Sequence, residues 1–214
     1  MRIILASGSP RRRELLDQIG TEYEVRPSEA DESITSTIPS EVVKELALRK
    51  GREVAAHYEE DVVILSADTV VANEGKILGK PKDDVEAAEM INSIQGKSHE
   101  VYTGVAIIIK RGKVSGSIKG DVEKNKSDME EPGKEKIINF AVETKVKVVP
   151  MTEEEIKGYL RTGEHRDKAG AYAIQGKFAP YIEGIEGDYY NVVGFPISRI
   201  CKELSKEGIN MIGY

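Results

Sequence analysis

The chain of 214 residues has one cysteine, Cys201, so an intramolecular disulfide is excluded and a cysteine-based metal site has no ligand set. No apolar run approaches the roughly 18 residues that a membrane-spanning helix needs, and the N-terminus has no signal-peptide pattern. The expectation is a cytoplasmic protein with no membrane partner. Basic residues are not in excess either: 31 Lys and Arg face 37 Asp and Glu, for a net charge of −6. That balance argues against a nucleic-acid binder, whose affinity would rest on many phosphate contacts. There is no internal repeat and no linker that separates two domains. What remains is an ordinary globular composition, long enough to bury a core as one large domain or two lobes.

Against this acidic background, the stretch Leu5 to Leu16 stands out. Ile3 to Leu5 reads as a strand, Ser7-Gly8-Ser9 as a small-residue turn, and Pro10 as a first helical residue with Ser9 as N-cap. Leu15, Leu16 and Ile19 form the buried stripe of that helix, which Gly20 ends. Arg11, Arg12 and Arg13 sit at the wrong end of it. A helix N-terminus carries roughly +0.5 of an elementary charge, and each cation there is disfavoured by about 0.3–1 kcal/mol. Either the arginines point at water, or free backbone N–H groups, two serine hydroxyls and guanidinium forks together seat a phosphate. The spacing is not that of a P-loop.

Further along, Thr21 to Val25 reads as a short strand, and the acidic loop around Asp31 and Glu32 either holds a divalent cation or is simply solvated. A helix is expected from Pro39 to about Tyr58, with Val43, Leu46, Ala47 and Val54 inward. Lys50 falls on the same stripe, so it either snorkels to the edge or reaches into a site. His57 reads as a surface residue. The apolar run Val62 to Leu65 is a doubly buried strand that delivers Ser66-Ala67-Asp68-Thr69 at its C-terminal end, before Val70 to Ala72 resume as a strand. Asp68 there is either a turn residue, or paired, or coordinated to a metal. A hairpin at Asn73-Glu74-Gly75 returns Gly79-Lys80-Pro81 towards Asp68, which makes Lys80 a candidate phosphate contact. Asp83 caps the next helix, and a long strand from His99 to Ile109 is expected to bulge at Thr103-Gly104. Residues from about 113 to 136 are so charged that they read as a hairpin extension or mobile loop. A half-exposed strand then covers Phe140 to Val148, and a capping box at Thr152 opens another helix. In the small-residue stretch Asp167 to Gly176, Gln175 either reads a base edge or lies at the surface. Ile185 to Tyr190 reads as a turn entering a strand to Val193, and Pro196 starts a final helix in which Cys201 packs inward.

Five segments in order, LASGSPRRRELL, LSADTVV, ILGKP, DKAGAYAIQG and IEGDYYNVVGFPIS, resemble the Maf family of nucleoside triphosphate pyrophosphatases, and they span nearly the whole chain. The resemblance implies an α/β fold: an elongated mixed β-sheet flanked by helices, a single domain over residues 1–214 with two lobes and a central nucleotide cleft. It implies hydrolysis of a nucleoside triphosphate to the monophosphate and pyrophosphate, a Mg2+ or Mn2+ cofactor, and often a homodimer. Asp68 matches the family's proton acceptor and is expected to take the proton, hold the metal or do both, and Glu32 of the acidic loop is the second expected metal ligand. The resemblance assigns substrate binding to Ser7, Arg11, Arg12, Lys50 and Lys80. Arg11, Thr69 and Gln175 match the subgroup that prefers dTTP and UTP. Two departures stand out, the long charged stretch from Ser115 to about Lys136, and Gly51 where alanine is common, which is expected to loosen the helix. The rival of a different class is a non-enzymatic nucleotide sensor in cell-division control, which would use the same arginines but need no base.

Overall fold

The computed structural model describes residues 1–112 and 135–213. Strand β1 (Arg2–Leu5) lies between β2 (Glu24–Val25) and β3 (Val62–Asn73), parallel to both. Strand β3 turns through Glu74 and Gly75 into antiparallel β4 (Lys76–Leu78). On its other edge β3 pairs with antiparallel β5 (Ser98–Lys110), followed by β6 (Glu135–Val148) and β7 (Ile182–Glu186). The seven strands form one mixed sheet. It is flanked by α1 (Pro10–Gln18), α2 (Pro39–Ala55), α3 (Asp84–Ile94), α4 (Glu153–Leu160), the short α5 (Tyr189–Val193) and α6 (Ile197–Lys206).

The period-2 alternation of strands divides the core. Ile3, Leu5, Val63, Leu65, Ala67, Val105 and Ile107 face one side and pack with Leu15, Leu16, Phe195, Ile200 and Leu204. Ile4, Val62, Ile64 and Ile108 face the other and pack with Val54 and Ala55 of α2. A separate cluster gathers Val71, Val101 and Val146 with Ile91 and Ile94 of α3 and Ile156 and Tyr159 of α4. Strand β3 thus feeds different apolar clusters at its two ends, and Asp68 and Thr69 lie between them.

That position differs from the expected break after Leu65. The register from Val62 opposite Lys110 to Ala72 opposite Glu100 is continuous, so β3 is one strand of 12 residues and Asp68 is a strand residue. Pairing with β5 satisfies the backbone there, which removes the need for a loop. The interruption is on the opposite edge. Strand β1 pairs with β3 as far as Leu65, and β4 only from Val71 onwards, so the stretch around Asp68 has an open edge among the described residues.

The expected bulge at Thr103-Gly104 is also absent, because Asp68 pairs with Gly104 and Thr69 with Thr103 in regular register. Glycine is there for another reason: a Cβ on Gly104 would lie 2.1 Å from the Val43 carbonyl oxygen, so α2 rests directly on this strand. Gly51 acts similarly. A Cβ there would lie 2.7 Å from Ser66 Oγ and 3.1 Å from Ile108 Cδ1, so this glycine seats α2 against the sheet instead of loosening it.

Residues 182–193 divide differently from the expected turn and strand. Ile182–Glu186 is β7 and Tyr189–Val193 is helix α5. Asp188 caps α5 by accepting from the Tyr190 N–H at 2.8 Å, and Gly194 closes it at φ 109°. Those caps override the strand propensity of Tyr-Tyr-Asn-Val-Val. The expected strand from Thr21 shrinks to Glu24–Val25, and α2 stops at Ala55 rather than Tyr58. Glu135 and Lys136 open β6, opposite Lys110 and Ile109, and the rest of the charged stretch at about 113–136 lies outside the described residues. The caps at Asp83 and Thr152 form as expected.

Candidate active site

The open edge of β3 is filled from both faces of the sheet. Even-numbered side chains of β3 face α2: the Ser66 hydroxyl donates to the Ala47 carbonyl at 2.7 Å, and Asp68 meets Lys50. Odd-numbered Thr69 points to the opposite face, towards α1 and α5. A cavity of about 600 Å³ wraps the open edge, so one ligand can touch both Asp68 and Thr69 although successive strand residues point apart.

On the α2 face, Lys50 Nζ donates to Asp68 Oδ1 at 2.6 Å and lies 2.6 Å from Glu32 Oε1. The Lys50 and Asp68 side chains are only 16% and 15% exposed, so the inward stripe of α2 delivers its lysine to a partner instead of to solvent. Hydrogen bonding from Lys50, and then its charge, holds the Glu32 carboxyl below its ordinary range.

On the other face, β1 runs into the Ser7 turn and α1. Ser9 occupies the N-cap position without a side-chain capping bond, which leaves the amides of the first turn without that partner. The three arginines divide. Arg13 is exposed, whereas Arg11 and Arg12 line the cavity. Arg12 is clamped by three acceptors: Nε donates to the Gly194 carbonyl at 2.9 Å, Nη1 to Ser7 Oγ at 2.8 Å, and Nη2 to Thr69 Oγ1 at 3.4 Å. Burial lowers the Arg12 guanidinium to about 10, against an opposing pull from the Asp68 charge and with a further push down from Arg11. Desolvation also lowers Arg11, opposed by Glu14. Ser7 is buried behind Arg12 and does not line the cavity, so it meets the guanidinium and the Ser9 N–H at 3.3 Å.

The third wall joins Gly79-Lys80 to residues 167–175. The Gly170 N–H donates to the Gly79 carbonyl at 3.0 Å. Gly170 has φ 66°, and a Cβ there would lie 2.9 Å from Val71, so only glycine lets this segment lie on β3. Lys80, Lys168 and Gln175 all line the cavity as a result. Tyr172 backs the same wall, its hydroxyl 2.7 Å from His99 Nε2, and burial drives His99 down to about 4.

Arg11, Arg12, Lys50, Thr69, Asp68, Lys80, Glu32 and Gln175 therefore share one cavity, while Ser7 reaches it through Arg12. Sequence reasoning missed Lys168 and Asp167, which also line it. Lys168 looks like any surface lysine until Gly170 docks on β3, although Asp167 and Gly170 in a small-residue stretch were a signal. Five cationic side chains thus face three carboxylates in one cavity of an acidic chain. That excess suits a polyanion. Asp68 and Glu32 are hard oxygen donors meeting at one ammonium, a pair that fits a magnesium-like cation completed by phosphate oxygens. Among the described residues no group of three or more His, Cys, Asp or Glu side chains forms a closed metal cage.

A family model described as Maf-like protein matches residues 2–207. A dTTP/UTP pyrophosphatase of Lachnoclostridium phytofermentans is 43% identical over 210 residues, covering 98% of this chain and 97% of that protein. A dTTP/UTP pyrophosphatase of Bacillus cereus is 44% identical over 211 residues, covering 98% and 97%. The solved nucleoside-triphosphatase / dITP/XTP pyrophosphatase of Mycobacterium abscessus overlays with a TM-score of 0.40 at 14% identity, covering 97% of this chain and 94% of that one. No helix among the described residues is long and apolar enough to cross a membrane.

Proposed function

The chain belongs to the Maf family, and from that premise we propose that it hydrolyses dTTP and UTP to the monophosphate and pyrophosphate. The observation that carries this function is the Asp68 carboxylate, 2.6 Å from Lys50 Nζ, inside a cavity walled by cationic side chains. Arg11, Arg12, Lys80 and Lys168 bind the triphosphate, and the α1 amides add donors aimed at the same anion. Asp68 accepts a proton from water as its oxygen attacks the α-phosphorus. The bond from that phosphorus to the bridging oxygen breaks, and pyrophosphate leaves with the electron pair. Positioned general-base help of this kind is worth ~10²–10⁴-fold. Lys50 holds Asp68 in place, and the cationic wall neutralises charge developing on the leaving group. Asp68 and Glu32 would hold a Mg2+ or Mn2+ ion, whose chemistry is charge neutralisation at the phosphates.

For the base, Gln175 is exposed where it lines the cavity, and its amide can both donate to and accept from a pyrimidine edge that covers it; once covered, an amide left unpaired by the wrong base costs ~1–3 kcal/mol. Arg11 and Thr69 line the same cavity. The enzyme works as a homodimer, the state that the family resemblance implies, in the cytoplasm. Size-exclusion chromatography with light scattering tests the dimer, and a single monomer mass would remove it.

Pyrophosphate release with magnesium across a panel of standard and modified triphosphates tests the activity. Release is expected to be fastest from dTTP, UTP and their modified forms. Release confined to methylated purine triphosphates would keep the reaction and remove the pyrimidine assignment. No release from any nucleotide that still binds would favour the sensor.

Arg12→Lys retains the charge but loses the fork that meets Gly194, Ser7 and Thr69 together. Hydrogen bonds to charged groups are worth about 1.5–3 kcal/mol, so kcat/KM is expected to fall by roughly 10–100-fold. An unchanged kcat/KM would reduce Arg12 to a point charge.

A further inference from the structure

Behind Thr69 runs a chain of hydroxyl and amide groups that leads away from the cavity and whose hydrogen-bond direction can be deduced. Thr103, fully buried on β5, is the cross-strand partner of Thr69. Its Oγ1 lies 2.8 Å from the Asn191 carbonyl oxygen and 2.9 Å from Thr69 Oγ1. A carbonyl only accepts, so the single hydroxyl hydrogen of Thr103 is committed to Asn191. Thr103 can then only accept from Thr69, and the Thr69 hydrogen is committed in turn.

The far end of the chain is rigid. Asn191 Nδ2 donates to the Val101 carbonyl and to Thr144 Oγ1, both at 3.0 Å, which ties α5 to β5 and β6. The Val101 carbonyl needs a donor, so the Asn191 amide cannot be turned round. The Asn191 carbonyl also accepts from the Gly194 N–H at 3.0 Å, within the turn that receives Arg12.

We infer that Thr103 is a positioning residue for specificity: it fixes Thr69 as a hydrogen-bond acceptor towards the cavity, so the nucleotide must present a donor at that point. The inference rests on the pyrimidine triphosphate function above and extends it. Of the two lone pairs on Thr69 Oγ1, Arg12 Nη2 takes one at 3.4 Å and the other is left for the ligand. A uracil or thymine imide N–H supplies such a donor and cytosine N3 does not. A sugar hydroxyl supplies one as well. The shared chemistry is a donor on the nucleoside. Without Thr103 the Thr69 hydroxyl can rotate and offer its hydrogen, so acceptors are no longer refused.

The test compares kcat/KM ratios in Thr103→Val, which keeps the shape and removes the hydroxyl, with Thr103→Ser, which keeps the hydroxyl. If the imide is the donor, the UTP to CTP ratio falls about tenfold in Thr103→Val, the scale of one misdirected buried hydrogen bond. If the sugar is the donor, the ratio of dTTP to its 2′,3′-dideoxy analogue falls instead. In either case Thr103→Ser keeps the ratios of the unmodified protein. Should Thr103→Val fail to fold, Thr69→Val, at a half-buried position on the cavity wall, removes the acceptor itself and must lower the same ratio. The inference is overturned if neither ratio moves in the valine variants, or if Thr103→Ser loses as much as Thr103→Val. Absence of pyrophosphate release from the unmodified protein would count against the function instead. The same ratios taken as Kd values by titration calorimetry would then still decide the role of Thr103.

Discussion

Asp68→Asn is expected to lower kcat for pyrophosphate release by at least ~10²–10⁴-fold, the range for loss of a positioned general base, with nucleotide affinity largely retained. The amide is isosteric and leaves the β3 backbone undisturbed, since Asp68 is paired with Gly104 through main-chain groups. It cannot take a proton from water, and it gives up a carboxylate ligand. Lys50 still has Glu32 at 2.6 Å, so the lysine is not left as a half-buried charge without a partner. That remaining pair separates the expected effect from unfolding, because stranding a buried charge would cost several kcal/mol. Removing one negative charge also makes the cavity more attractive to a triphosphate. Single-turnover kinetics and calorimetric Kd values on the same preparation make the check. A kcat within threefold of the unmodified protein would remove Asp68 as proton acceptor. Tight binding without turnover in both proteins would make the chain a sensor.

Gly104→Ala carries the largest expected effect outside the polar site. The new Cβ would lie 2.1 Å from the Val43 carbonyl oxygen, 2.2 Å from its carbon and 2.7 Å from the Lys44 nitrogen. All three are backbone atoms of α2, so no side-chain rotation relieves the clash and the helix itself must move. Overpacking costs typically ~1–3 kcal/mol, and a backbone collision belongs at the upper end. For a chain of this size each kcal/mol lowers Tm by roughly 2–4 °C, which gives a drop of about 6–12 °C. Because α2 also carries Lys50, kcat/KM is expected to fall with stability. Gly184→Ala on β7 is the control, since nothing lies within 4 Å of a Cβ there. Thermal unfolding of the two variants side by side makes the check. If Gly104→Ala melts with Gly184→Ala and keeps full activity, α2 is not seated on β5 as described.

The residues with chemistry were legible because each breaks a local rule. Arginines at a helix N-terminus, a lysine on an apolar stripe and an aspartate following a buried strand each ask for a partner or for solvent, and Arg11, Arg12, Lys50 and Asp68 all reach the same cavity, while Arg13 stays exposed. Strands were legible in two ways, Val62 to Leu65 as a continuous apolar run buried on both faces and Phe140 to Val148 by its alternation of apolar and polar residues. Tyr189 to Val193 reads as a strand because the β propensity of Tyr-Tyr-Asn-Val-Val is strong, whereas the two caps that make it a helix, Asp188 and Gly194, lie just outside it. At Thr103-Gly104 the glycine reads as a bulge, whereas what needs the missing Cβ is the Val43 backbone of α2, far earlier in the chain.

The sequence alone thus determined which side chains were candidates for a site, because burying or crowding a charge is costly wherever it occurs. It also determined the family, through five short segments in order. Only the tertiary structure decided how those side chains meet. Successive residues Asp68 and Thr69 point to opposite faces of a strand, and they share a cavity because β1 stops at Leu65 and β4 starts at Val71, leaving one edge of β3 open between them. Lys168 enters by the docking of Gly170 on Val71, and the direction of the Thr69 hydroxyl is set by the carbonyl of Asn191, more than a hundred residues away in the chain. Such facts depend on which strand ends where and which backbone atom lies behind a hydroxyl. Local pattern carries no record of either, since long-range packing sets both.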